Sequence, residues 1–156
     1  MKNTVRKLND WLKGGYIVSF HAMTGYEMTI QTIKPPPDIG DFCVLSWFSP
    51  VRLGTEDSWR DLCSNLPIFP AKDEPEHAAT ALALSCLLGV PISHVDITED
   101  GDLVLCFEEF NDLTISCYND DFDASGWEIF SKNSPEVEGT PIVSCDLNGD
   151  LYFGKV

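Results

Sequence analysis

Glu76-His-Ala-Ala-Thr-Ala-Leu-Ala-Leu-Ser-Cys-Leu-Leu88, closed by Gly89, is followed by three apolar runs, Ile92–Ile97, Leu103–Glu108 and Leu113–Tyr118, and this stretch decides the fold. Its first part is Ala-rich and apolar nearly all round, with Pro75 at a first helical position, so it predicts a helix laid against a sheet. The three runs that follow are strand-length and are separated by turn sequences, Glu99-Asp-Gly-Asp102 and Phe110-Asn-Asp112. They predict a meander of antiparallel strands.

Working outward, Trp127–Phe130, Ile142–Cys145 and Leu151–Phe153 add short strands, the last two joined by Leu147-Asn-Gly-Asp150 with its Asn-Gly turn signal. Toward the N-terminus, Tyr16–His21 and Tyr26–Ile33 predict a hairpin around Thr24-Gly25. Pro35-Pro-Pro37 forces an extended connection, and Phe42–Phe48 reads as a buried strand. Thr4–Lys13 and the segment after Thr55, which holds Trp59, Leu62 and Cys63, predict two short helices, the second capped by Thr55. The expected fold is α+β: a mostly antiparallel sheet with one main Ala-rich helix packed on it and one or two short helices. At 156 residues and 44% hydrophobic the chain is one domain's worth, 1–156, with a hairpin and short helices in 1–72 and an acidic helix-plus-meander half in 73–156.

Charge divides the same way. Residues 1–72 hold eight Lys/Arg against seven Asp/Glu, whereas 73–156 hold two, Lys132 and Lys155, against eighteen. Acid gathered in one half repels nucleic acid and anionic membrane and attracts a basic protein. A solvated acidic surface with no partner is the plainer alternative. Within the acidic half, Phe110, Tyr118 and Phe122 interleave with Glu108, Glu109, Asp112, Asp120, Asp121 and Asp123, the arrangement of aromatic anchors inside a charged rim. Alternation places Phe107 and Trp127 in the core instead.

Other chemistry finds little support. The six cysteines sit singly in apolar stretches, as in Leu84-Ser-Cys86-Leu-Leu88, and read as reduced core thiols. Asp121-Phe-Asp-Ala-Ser-Gly126 and Asp96-Ile-Thr-Glu-Asp-Gly101 open like calcium loops, but the twelfth position holds Lys132 or Phe107 in place of glutamate, so no metal and no cofactor are expected. No nucleophile elbow, phosphate loop or histidine motif occurs around His21, His77 or His94. No apolar run is long enough to cross a membrane, and the first ten residues have no apolar signal core, which reads as a cytosolic chain. Gly89-Val-Pro-Ile92 leading to Asp100-Gly-Asp-Leu103 is echoed by Gly139-Thr-Pro-Ile142 leading to Asn148-Gly-Asp-Leu151, a strand–turn–strand device used twice.

Four pieces, Leu87-Leu-Gly-Val-Pro-Ile92, Asp100-Gly-Asp-Leu-Val-Leu-Cys-Phe107, Asp112-Leu-Thr-Ile115 and Trp127-Glu-Ile129, resemble the pattern of a family of small, uncharacterised bacterial domains. These domains are similar in size and charge to the immunity proteins that accompany polymorphic and contact-dependent toxins. The likeness covers roughly 76–130, and weakly 143–151. It departs from the family at Glu109-Phe-Asn111, where a glycine is usual. The resemblance implies a non-enzymatic binder of a cognate toxin domain, a nuclease among the options, and it implies no catalytic residue. Two other readings stay open: a small enzyme or ligand-binding domain with a pocket between the Ala-rich helix and the sheet and Cys86 or His94 at its rim, and a dimeric adaptor joined through the strand edge of Phe42–Phe48.

Overall fold

Lys2–Leu12 forms helix α1, which buries Thr4, Leu8 and Leu12 on one side, and Gly14, at φ 83°, turns the chain out of it into the first strand. The computed structural model describes residues 2–22, 25–34, 40–66, 75–118, 126–131, 142–146 and 149–154. Strands β1 (Tyr16–Ala22), β2 (Tyr26–Gln31) and β3 (Phe42–Trp47) run antiparallel in sequence order. Strand β4 (Val51–Leu53), only three residues between Pro50 and Gly54, then leaves that sheet.

Helix α2 (Glu56–Asn65) begins at Thr55, whose hydroxyl accepts the Ser58 amide, with Glu56 and Asp57 in the first turn where the helix dipole favours acid. Helix α3 (Pro75–Leu87) starts at its proline as the sequence predicts and ends at Gly89, at φ 75°. It buries Ala79, Thr80, Ala83, Leu84 and Leu87 and packs against α2, β4 and β1. Cys86, expected in the core, lies on its exposed side together with Leu82 and Leu88. An apolar helix laid on the domain's surface still leaves one side to water, and Cys86 falls there.

Strands β5 (Ile92–Ile97), β6 (Leu103–Phe107) and β7 (Leu113–Ile115) form the expected meander, and β8 (Trp127–Ser131), β9 (Val143–Cys145) and β10 (Leu151–Phe153) follow. Among the described residues the fold is therefore α+β, with three helices and ten strands, every strand pair antiparallel. The strands divide between two sheets. One has the order β1-β2-β3-β8-β9-β10 and the other β4-β7-β6-β5. Strand β3 is paired on both sides, by β2 and by β8, so Phe42–Trp47 offers no edge for a dimer; the apolar density of that run reflects its central place in the sheet.

The alternating pleat sorts side chains. Leu103, Leu105 and Phe107 of β6 point into the core while Val104 and Cys106 stay half-exposed. The inner residues of both sheets, with Leu8 and Leu12 of α1, form one hydrophobic cluster. Trp47 and Trp127, side by side in register across β3 and β8, are its largest fully buried members. No helix among the described residues is long and apolar enough to cross a membrane.

Candidate functional site

The β5–β6 and β9–β10 connections are built alike. In the first, Thr98 N–H donates to Asp102 O, Gly101 N–H to Thr98 O, and Asp102 N–H to Thr98 Oγ1. In the second, Asp146 N–H donates to Asp150 O, Gly149 N–H to Asp146 O, and Asp150 N–H to Asp146 Oδ1. Each needs a glycine because Gly101 and Gly149 sit at φ 89° and 80°. The sequence echo is thus a repeated turn geometry.

The two turns come from different sheets and meet face to face. A Cβ on Gly101 would lie 2.6 Å from Gly149 Cα, and one on Gly149 would lie 2.7 Å from Asp100 O. Trp127 Nε1 donates to Gly101 O at 3.0 Å, and Cys117 Sγ donates to Asp100 O at 2.7 Å. This junction gathers Glu99, Asp100, Asp102, Asp146 and Asp150 at one end of the molecule, with Glu99, Asp100 and Asp150 exposed. Asp102 and Asp146 are partly buried and also have structural work: Asp102 Oδ1 accepts the Cys117 amide, and Asp146 Oδ2 accepts the Tyr152 hydroxyl. That hydrogen bond to a carboxylate, with its negative charge, holds the Tyr152 phenol above its ordinary pKa. Tyr118, next in the chain to Cys117, and Tyr152 are exposed beside these turns.

The residues singled out in the sequence are divided by this architecture. Glu108, Glu109, Phe110 and Asp112 are all exposed in the β6–β7 connection. Tyr118 lies past the opposite end of β7, some six residues or roughly 20 Å of extended chain from Asp112. The structure therefore keeps Tyr118 apart from the 108–112 group and places it by the paired turns. Asp120, Asp121, Phe122 and Asp123 lie outside the described residues. Phe107 and Trp127 are core residues, as the alternation predicts. What sequence reasoning missed is the grouping of Glu99, Asp100 and Asp150; the Asp-Gly and Asn-Gly echo was its only trace.

Ion pairing in the described residues is confined to one segment. The ion pairs there, Arg52–Glu56, Arg60–Glu56 and Arg60–Asp57, all fall within 52–60 and are exposed. Glu99, Asp100, Asp102, Asp150, Glu108, Glu109 and Asp112 have no cationic partner among the described residues.

The thiols of Cys43, Cys106 and Cys145 are held protonated. Burial pushes the Cys43 thiol up to about 12. Burial and then its neighbour Cys117 push Cys145 up to about 12, and burial followed by the nearby Asp112 carboxylate pushes Cys106 up to about 11. A thiol is nucleophilic as its thiolate, so none of these three is poised for attack at neutral pH. The sign of the pH effect follows. The native state resists deprotonation to about 12 while an ordinary thiol ionises from 9.0, so stability is complete below pH 9 and declines between 9 and 12. Each fully buried thiol contributes a slope of about 1.4 kcal/mol per pH unit. Urea unfolding under reducing conditions at pH 8, 9 and 10 is expected to show this decline, and Cys43→Ala to flatten it; an unchanged slope in that variant would refute the assignment.

A cleft of about 240 Å³ lies between α2 and the start of α3, lined by Glu56, Trp59, Arg60, Cys63, Ser64, Pro75 and Glu76. Neither Cys86 nor His94 borders it. His77, exposed at the start of α3, meets the Tyr26 hydroxyl through Nδ1, and Tyr26 stacks on Trp47 with ring centroids 5.5 Å apart. Among the described residues no group of three or more His, Cys, Asp or Glu is arranged to hold a metal ion. Comparison with family models, with curated proteins and with solved structures returns no match for this chain.

Proposed function

We propose that this chain is a non-catalytic binding protein that neutralises a basic protein, in the manner of an immunity protein that covers the Lys/Arg-lined cleft of a cognate bacterial toxin domain. One observation carries the reading. Two like-built turns from two sheets, locked through Gly101 and Gly149, hold Glu99, Asp100 and Asp150 at one exposed end beside Tyr118 and Tyr152. Carboxylates without neutralising cations project a negative potential that speeds encounter with a cationic surface. Exposed tyrosines beside them supply contact area at low entropic cost, the usual composition of a binding hot spot. Because the turns are pinned by the Trp127–Gly101 and Cys117–Asp100 hydrogen bonds, the carboxylates are presented on a rigid base. Glu108, Glu109, Phe110 and Asp112 form a second acidic and aromatic group on this reading, at the far end of β6. Asp120, Asp121, Phe122 and Asp123 continue the chain from Tyr118.

The test begins by searching the genomic neighbourhood for a basic toxin domain and then follows its association with this chain at 50 and 300 mM salt. The triple variant Glu99→Gln, Asp100→Asn, Asp150→Asn is expected to lower the association rate by ~10-fold at the lower salt and to flatten the salt dependence. The triple variant Glu108→Gln, Glu109→Gln, Asp112→Asn is expected to change it less. Unaltered rate and salt dependence in the first variant would reject the paired turns as the contact surface. Failure of the wild-type chain to suppress the domain's toxicity on co-expression would reject the immunity reading itself.

A further inference from the structure

We infer that β10 is a docking edge, to which a basic partner adds an extended segment as a further strand. The inference rests on the acidic end being an interface and names how that interface is used. Edge strands are hazards that folds manage, and the other edges of both sheets are met at least in part by neighbouring elements, β1 only at its Tyr16–Ile17 start. Strand β1 is met by Leu88 and Pro91, with Gly89 N–H donating to Ile17 O. Strand β5 is closed by Asn9 of α1, whose side-chain amide accepts from Val95 N–H and donates to Val95 O, imitating a strand. Strand β4 lies against α2 and α3. Strand β10 ends its sheet with no strand beyond it among the described residues.

The ladder parity shows what this edge presents. Gly154 N–H donates to Ile142 O, and Asp150 O accepts from Asp146 N–H, so Asp150, Tyr152 and Gly154 turn their backbone groups toward β9. Leu151 and Phe153 therefore direct their N–H and C=O groups away from β9, and neither makes a hydrogen bond through them among the described residues. Tyr152, 54% exposed, stands on one face of the edge, and Phe153, 43% exposed, on the other. Both can grip alternate side chains of an added strand.

Charge selects the occupant. The Asp150 end of β10 leads into the paired acidic turns, while at the other end Lys7 Nζ sits 4.8 Å from the centre of the Phe153 ring. An extended segment with its Arg or Lys residues at the turn end and uncharged residues along Tyr152 and Phe153 matches this polarity. A second copy of this chain does not, because each copy carries a net charge of −15 and the paired edges would bring acid to acid.

The probe is a fluorescein-labelled decapeptide of alternating Val and Thr with three Arg at one end, together with the same peptide N-methylated at every second residue. Anisotropy is expected to show binding of the first and ~10-fold weaker binding of the second, because about two ladder hydrogen bonds are lost. Phe153→Pro removes an outward N–H while sparing the β9 ladder, and is expected to reproduce that loss; Phe153→Ala, which keeps the N–H, is expected to lose less. Equal affinity for the two peptides, or no binding of either, overturns the edge. If neutralising Glu99, Asp100 and Asp150 weakens both peptides equally and methylation has no effect, the edge is overturned while the acidic interface stands. A dimer in sedimentation that Phe153→Pro dissolves also overturns the proposal, since a second copy would then occupy the edge.

Discussion

Trp127→Ala is expected to cost about 4 kcal/mol, a large share of the ~5–15 kcal/mol that holds a domain of this size folded. Trp127 is fully buried, faces Trp47 on β3 and Cys145 on β9, and ties β8 to the β5–β6 turn through its indole N–H and Gly101 O. Alanine removes both the packing and the tie. The two parts separate by comparing phenylalanine variants. Trp127→Phe keeps most of the ring and loses the hydrogen bond, leaving the Gly101 carbonyl with only the weak Cys145 thiol donor at 3.5 Å, at a cost of about 1 kcal/mol beyond that of the smaller ring. Trp47 is as deeply buried, but its Nε1 has no hydrogen-bond partner among the described residues. Trp47→Phe therefore loses volume alone and is expected to be milder. Urea midpoints measure all three, and equal losses for the two phenylalanine variants would remove the Gly101 bond from the account.

Gly126→Ala is expected to destabilise by about 3 kcal/mol or more, at the upper end of what overpacking costs. A Cβ there would fall 2.0 Å from the carbonyl oxygen of Cys117 and 2.4 Å from its Cα, and backbone has no rotamer with which to retreat. The residue is fixed on its other sides too, by Gly126 N–H donating to Cys145 O and by Ser49 Oγ donating to Gly126 O. Gly89 makes the control. It sits at φ 75° but a Cβ would meet nothing within 4 Å, so Gly89→Ala bears only the left-handed backbone strain of about 1–2 kcal/mol. Thermal melts that place Gly126→Ala at or above Gly89→Ala would contradict the crowding at Cys117.

Much of the fold was legible because its elements announce themselves locally. Helix α3 has its proline start, alanine-rich body and glycine stop, and the β5–β6 hairpin has alternating Val, Leu and Phe around Asp-Gly. Strand β4 was not legible: Val51-Arg-Leu53 is too short for any period to register. Nor was the partition into two sheets, since β3 takes β8 as its neighbour and no local pattern names a partner 80 positions away, as Trp47 and Trp127 are. The site was harder still. Glu108 and Tyr118 look adjacent when read along the chain, yet β7 carries them to opposite ends of a sheet. Asp100 and Asp150 look remote, yet two glycines without side chains let their turns touch. The repeat of Asp-Gly-Asp-Leu in Asn-Gly-Asp-Leu was visible, but the chemistry of a turn does not state what it will face.

The pairing of β3 with β8 also matters for how the polypeptide is made. Synthesis delivers residues in order at ~5–20 per second, so Phe42–Trp47 emerges several seconds before Trp127–Ser131 exists to cover it. Throughout that interval the flank of β3 that β8 covers in the native sheet has no native partner, whatever of β1–β3 has formed, and the residues of the second sheet are made before that partner arrives. Closure of the first sheet therefore waits on the C-terminal strands, so a chain cut short before Trp127 would lack the native partner of Phe42–Trp47.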